Sequence, residues 1–248
     1  MPRAGHFSRI PILFIIPLLL MPSSAPGKAD RIAIGKFVAD KEADGSPKGW
    51  RTVTYFNVPP TSYRVIKYRG KYILKAEGIG TSSCLFREVK AELEDYPIIS
   101  WRWKISNVIR QAVETRKDRN DSAARVIVVF EIEPEALPTW YGIEYLLRRL
   151  ISRNEPGGPR IEYIWGNRIE KGRILDNPSL KHSKVVVLES GERKAERWVP
   201  EKRNLVEDFE AAFGTQPKGI LALGIQTDSD QSNEGVTAYY DEVFLRRR

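Results

Sequence analysis

Short apolar runs separated by turn signals recur along most of the chain, and their dominant period is two. The stretch Ile98–Ile105 is the clearest. Ile99, Trp101, Trp103 and Ile105 fall on one face, and Ser100, Arg102 and Lys104 on the other. Over 123–132, Ala124, Val126, Val128, Phe130 and Ile132 point one way, while Arg125, Ile127, Val129 and Glu131 point the other. The same reasoning predicts strands at 32–38, 50–56, 63–68, 71–76, 83–89, 161–165, 185–188, 220–225 and 237–245. Arg69-Gly70 is a two-residue hairpin turn, and 44–49 is a loop. Many short strands with regular turns predict a mostly-β fold, an antiparallel β-sandwich of jelly-roll type, in a single domain over 30–248.

Two segments change period. Over 140–152, Trp140, Ile143, Leu147, Leu150 and Ile151 recur at helical spacing. This helix is expected on the sandwich edge, with Arg148, Arg149 and Arg153 turned outward. Over 205–213, Leu205, Phe209 and Phe213 form an apolar stripe. Asn204 is its N-cap, Glu207 stands three residues on, and Gly214 provides the stop. Within 220–225, Leu221, Leu223 and Ile225 are expected on the core face. Ala222 and Gly224, small residues opposite, leave space for either a covering helix or a ligand.

Composition then narrows the setting. Residues 1–29 have the form of an export signal: Arg3 and Arg9 precede an apolar run from Ile10 to Met21, and Gly27-Lys28-Ala29 offers a cleavage point. The run is too short for a stable membrane span, so none is expected after cleavage. The expected location is periplasmic or secreted. Losing Arg3, Arg9 and Lys28, and no acid, lowers the formal charge from +8 to +5. That mild, scattered charge argues against nucleic acid as a partner.

Cys84 is the only cysteine, which excludes a disulfide framework, and its apolar neighbours mark it as a core thiol. His182 is the only histidine beyond the leader, so a multi-histidine metal site is excluded. No nucleotide loop or catalytic triad is indicated, and no cofactor is required.

Several residues form a longer pattern: Trp101-Arg102-Trp103-Lys104, Asp121, Tyr163-Ile164-Trp165-Gly166, Trp198, the run from Glu201 to Phe209, Thr227-Asp228-Ser229-Asp230, and Ala238-Tyr239-Tyr240-Asp241-Glu242-Val243. In order and spacing this resembles domain-of-unknown-function family 3047, found in exported bacterial proteins. The family usually has an acidic pair where Asn120-Asp121 stand, and Asn-Thr where Gln231-Ser232 stand. The closing strand is also similar to the last strand of jelly-roll carbohydrate-binding modules, a likeness of fold alone.

These residues suggest three chemistries. Trp198, with Arg203, Arg125 and Arg102, could hold a glycan by ring stacking and hydrogen bonding. Ion pairs with Asp121 and Asp208 are the plainer role for the arginines. Asp228, Asp230 and Ser232 alternate as oxygen ligands for a structural calcium ion, or form a solvated turn. Asp121, Asp208, Asp228 and Asp230 are candidate acids and bases. The leading expectation is a non-catalytic exported protein that binds a glycan or other cell-envelope polymer. The alternatives are a carboxylate-dependent glycoside hydrolase or polysaccharide lyase, and an envelope protein that docks a protein partner through 140–152.

Overall fold

The computed structural model describes residues 29–133 and 156–248. The predicted helix at 140–152, and all but the end of the predicted leader, lie outside the described residues. Two sheets face each other. Sheet one runs in the order β11 (Val199–Asn204), β6 (Ile98–Ile105), β13 (Gly235–Arg246), β4 (Lys71–Ile79), β3 (Ser62–Tyr68). β1 (Arg31–Gly35) pairs with the far end of β13. Sheet two runs β2 (Arg51–Thr54), β5 (Ser82–Glu92), β12 (Gly219–Asp228), β7 (Ser122–Glu131), β8 (Arg160–Gly166), β10 (Ser183–Ser190), β9 (Ile174–Asp176).

The fold is the expected mostly-β sandwich, with one departure from an antiparallel design. β8 and β10 are parallel, with Tyr163 opposite Val186. Their connection, 167–182, is long enough for a crossover, and it contributes β9 to the edge of the sheet. Two strands were not foreseen, β9 and β11. β11 has one aliphatic residue, a proline and three charges. It exists because it is an edge strand, where Pro200 needs no partner on the open side and Lys202 stays in water.

Local chemistry explains the other elements. Arg69 and Gly70 take φ of 47° and 84°, the left-handed pair that closes the β3–β4 hairpin. The described helix, α1 (Leu205–Phe213), begins at Asn204, whose side chain accepts from the backbone N–H groups of Val206 and Glu207. It stops at Gly214 in the left-handed conformation. Phe209 sits between Phe130 at 4.7 Å and Phe213 at 4.5 Å, which ties the helix to sheet two.

The main core lies between the sheets. Ile99, Trp101, Trp103 and Ile105 of β6 meet Tyr163 and Trp165 of β8, with ring centroids 5.4–5.9 Å apart. In β12 a bulge between Ile220 and Ala222 breaks the expected alternation. Ile220, Leu223 and Ile225 join this core, while Leu221 packs with Ala222 on the outer face. The space beside Gly224 is filled by Phe86 and Cys84, since a Cβ there would stand 2.6 Å from the Phe86 ring. Among the described residues, those two side chains take that space.

Two tyrosines of sheet one reach across the core to the backbone of sheet two. The Tyr240 hydroxyl donates to Gln226 O at 2.8 Å, accepts from the Arg125 N–H at 3.3 Å, and lies 3.0 Å from Thr227 Oγ1. The Tyr63 hydroxyl donates to Ser83 O at 2.5 Å and accepts from the Thr227 N–H at 3.2 Å. They converge where β7 carries an extra residue, Gln226 facing Arg125 and Asp228 facing Ser122. Burial pushes both phenols well above the usual tyrosine range, so they act as neutral donors.

Glu201 is an exception in this interior. Its Oε1 and the neighbouring Trp103 indole N–H are buried without a hydrogen-bond partner. Desolvation raises its carboxyl to about 7.

Two outcomes follow from the interior. Tyr240→Phe leaves the Gln226 carbonyl and the Arg125 N–H without their partner, and should lower unfolding free energy in urea by about 1–3 kcal/mol. Glu201 holds its proton more tightly when folded. Its contribution is therefore full below about pH 4.5 and is lost as pH rises through about 7. Thermal melts across this window should show that decline in the wild type and a flatter profile in Glu201→Gln, with the variant more stable at pH 8.

Candidate functional site

The bulge that receives the tyrosines also shapes the outer side of sheet two. There, Arg125 of β7, Glu162 of β8, and Gln226 and Asp228 of β12 line the floor of a cleft of about 250 Å³. Tyr55, Val58, Ile127 and Leu180 add carbon surface, and Asn120, Asp230 and Gln231 lie along its margin. Alternation puts Arg125 and its partner Gln226 on this face, and puts Asp228 beside them two residues further along β12.

The floor is charged and buried. Arg125 Nη1 donates to Glu162 Oε2 at 2.6 Å, and Arg125 Nη2 donates to Asn120 O at 3.0 Å. The other Glu162 oxygen accepts from Asn177 Nδ2 at 2.9 Å and Ser183 Oγ at 2.7 Å. Burial works against the Arg125 charge, but Glu162 and Asp228 outweigh it and keep the guanidinium protonated. Asp228 is held less closely. Its Oδ2 lies 3.9 Å from Arg125 Nη2, and its Oδ1 is buried with no hydrogen-bond partner. Desolvation pushes its carboxyl well above the usual carboxylate range, and Arg125 only partly opposes this. Arg125 Nε–H is likewise buried and unpartnered. Both unpartnered atoms are enclosed by the protein and held on strands.

Asp121 stands just behind the margin. Its oxygens accept from the N–H groups of Gln231 at 3.3 Å and Ser232 at 2.8 Å, closing the turn after β12. Desolvation raises its carboxyl, and those hydrogen bonds work in the opposite direction. One carboxylate oxygen from each of Asp121, Asp228 and Asp230 lies within 4.8 Å of the others. Ser232, the third residue of the expected calcium set, uses its hydroxyl within the turn, donating to Ser229 O at 3.4 Å and accepting from Glu234 N–H at 3.2 Å.

The other candidates lie elsewhere. Arg203 and Asp208 pair by Nε to Oδ2 at 2.9 Å, and Asp208 also accepts from the Tyr163 hydroxyl at 2.7 Å. This is an internal brace between β11, α1 and β8. Trp198 and Arg102 meet on the outer side of sheet one. The Arg102 guanidinium covers the Trp198 ring at 4.8 Å and bonds Asp241 through Nε at 3.1 Å. Tyr68 and Tyr239 stand about 6.5 Å from Trp198, tilted by 60° and 57°. Lys104 Nζ lies 4.5 Å from the Tyr239 ring centre. One face of Trp198 therefore already carries a cation, and the three rings do not form a flat platform. The four proposed ligand residues fall in three places, with only Arg125 in the cleft.

Sequence reasoning missed Glu162, Asn177, Gln226 and Tyr55. Glu162 had a visible signal, a charge inside the apolar run Ile161-Glu162-Tyr163-Ile164-Trp165. Asn177 reaches the cleft from a loop with no periodic pattern, and Tyr55 lies just past the end of β2, within the stretch predicted as strand.

No curated protein matches the chain. Among solved structures, it is similar to the family 30 carbohydrate-binding module of a cellulosomal cellulase from Clostridium thermocellum, at 11% identity and a TM-score of 0.36, over 79% of this chain and 86% of that one. It is similar to an adhesin domain of Lys-gingipain from Porphyromonas gingivalis, at 11% identity and a TM-score of 0.38, over 89% and 99%. It is also similar to a xyloglucanase domain of an effector from Sinorhizobium fredii, at 8% identity and a TM-score of 0.41, over 80% and 93%. These values are low, and no residue role is taken from them. A family model described as "Protein of unknown function (DUF3047)" matches residues 48–244, most of the chain, and the protein belongs to that family.

Proposed function

We propose that this chain is an exported, non-catalytic glycan-binding protein that takes its ligand in the cleft over sheet two. The observation carrying this reading is the cleft itself, in which strands set Arg125, Glu162, Gln226 and Asp228 beside the carbon surface of Tyr55 and Leu180. A sugar offers hydroxyls that both donate and accept, together with C–H faces for the Tyr55 and Leu180 walls. Burial makes each such hydrogen bond selective, because a ligand that fails to form it leaves a desolvated group unpaired. The leader-like segment at 1–29 supports the periplasm or the exterior as the place of action. Among the described residues no helix is long and apolar enough to cross a membrane.

Glu162 favours binding over catalysis. Arg125, Asn177 and Ser183 occupy both its oxygens, so neither is free for a substrate. A carboxylate-dependent hydrolase or lyase is the second reading, and the raised Asp228 carboxyl favours it. In that case the bound glycan is cleaved and Asp228→Asn, still folded, retains binding while cleavage stops.

The test is a glycan array followed by calorimetry on the glycan class that binds. Tyr55→Ala should weaken binding roughly tenfold through lost ring contact. Trp198→Ala, on the opposite sheet, should leave affinity unchanged. Binding that falls in Trp198→Ala and survives in Tyr55→Ala would move the ligand to sheet one. A folded protein that binds no glycan would overturn the reading.

A further inference from the structure

Asp228 and Asp230, which line the cleft, and Asp121 beside them gather more negative charge than their surroundings balance. Asp121, Asp228 and Asp230 bring an oxygen each to within 4.8 Å of one another. Two of these residues are buried, Asp121 at 2% and Asp228 at 5% exposure. The nearest cation, Arg125, is committed to Glu162 at 2.6 Å and stands 3.9 Å from Asp228. Asp121 has backbone N–H partners on both oxygens. Asp228 Oδ1, fully enclosed, has no partner among the described residues. Close, desolvated like charges repel strongly unless a counter-charge lies between them.

We propose that Asp121, Asp228 and Asp230 hold a divalent cation of the calcium class. The ligand set is carboxylate oxygen alone, with no sulfur or imidazole, which suits a hard cation that completes its shell with water. Asp121 also lines an adjoining cleft of about 250 Å³ with Gln111, Asp118 and Arg119, which gives water and the ion a way in. Asp121 differs from Ser232 in what it adds, a third negative charge brought from the start of β7 to the end of β12. The cation would therefore join two strands that are 107 residues apart in sequence, from position 121 to position 228. It would also steady the segment whose Asn120 carbonyl accepts from Arg125. The site does not depend on the glycan reading.

The experiment is calorimetry with CaCl2, and separately MgCl2, on EDTA-stripped full-length protein without glycan, paired with thermal melts. Saturable binding is expected, with a Tm rise of about 5 °C or more at a hundredfold excess over Kd. Asp121→Asn keeps an oxygen for the turn N–H groups and should bind at least tenfold more weakly. Asp230→Asn, at the half-buried margin, should show the same loss with little change in the metal-free melt. Asp176→Asn, an exposed partner of Lys184, should bind as the wild type. No heat and no shift in Tm with either salt would overturn the proposal. So would wild-type affinity in both cluster variants.

Discussion

The Tyr240 hydroxyl, reaching from one sheet to the backbone of the other, is the contact on which the rest of the arrangement depends. Sandwich layers are normally joined by side chains that do not discriminate between registers. A buried hydroxyl is more demanding, because it must find donors and acceptors at a fixed place. Tyr240 finds Arg125 N–H, Gln226 O and Thr227 Oγ1 there, and Tyr63 takes up Thr227 N–H beside them. The two phenols therefore stabilise an irregular stretch of β7 and β12 that the ladder alone leaves uneven. Beside that stretch, Arg125 and Asp228 stand close together on the outer face.

The charges gathered there divide into settled and unsettled groups. Arg125 and Glu162 are paired at 2.6 Å, and Asn177 and Ser183 complete the carboxylate's hydrogen bonds. A buried pair that is fully satisfied adds little net stability but holds its members in one geometry. Asp228 is the unsettled member, with one free oxygen and two more carboxylates nearby. Its environment invites a cation. Trp198 is settled by comparison, since Arg102 covers one ring face and Asp241 fixes that arginine.

Much of the fold was legible because alternation is a local signal. β6 and β7 were read residue by residue, and so were the caps of α1 at Asn204 and Gly214. β11 was hidden because an edge strand tolerates proline and charge, so its sequence looks like a loop. The β12 bulge was hidden because adding one residue moves Leu221 to the other face without changing composition. The site was only partly legible. Arg125, Asp228 and Asp230 stood out by residue type and position, while their grouping depends on β7 and β12 being neighbours in the sheet. Arg203 and Asp208 carried the same signal as Arg125, and only the three-dimensional path shows that they brace the interior.

Amide hydrogen exchange at Arg125 and Thr227 tests the cross-layer anchor most directly. Both N–H groups donate to tyrosine hydroxyls. In the wild type, both should exchange only with the slowest core amides, such as those of β6. In Tyr240→Phe, Arg125 should exchange by local opening, well ahead of Thr227, which keeps Tyr63. Rapid exchange of Arg125 in the wild type, or unchanged protection in the variant, would contradict the account.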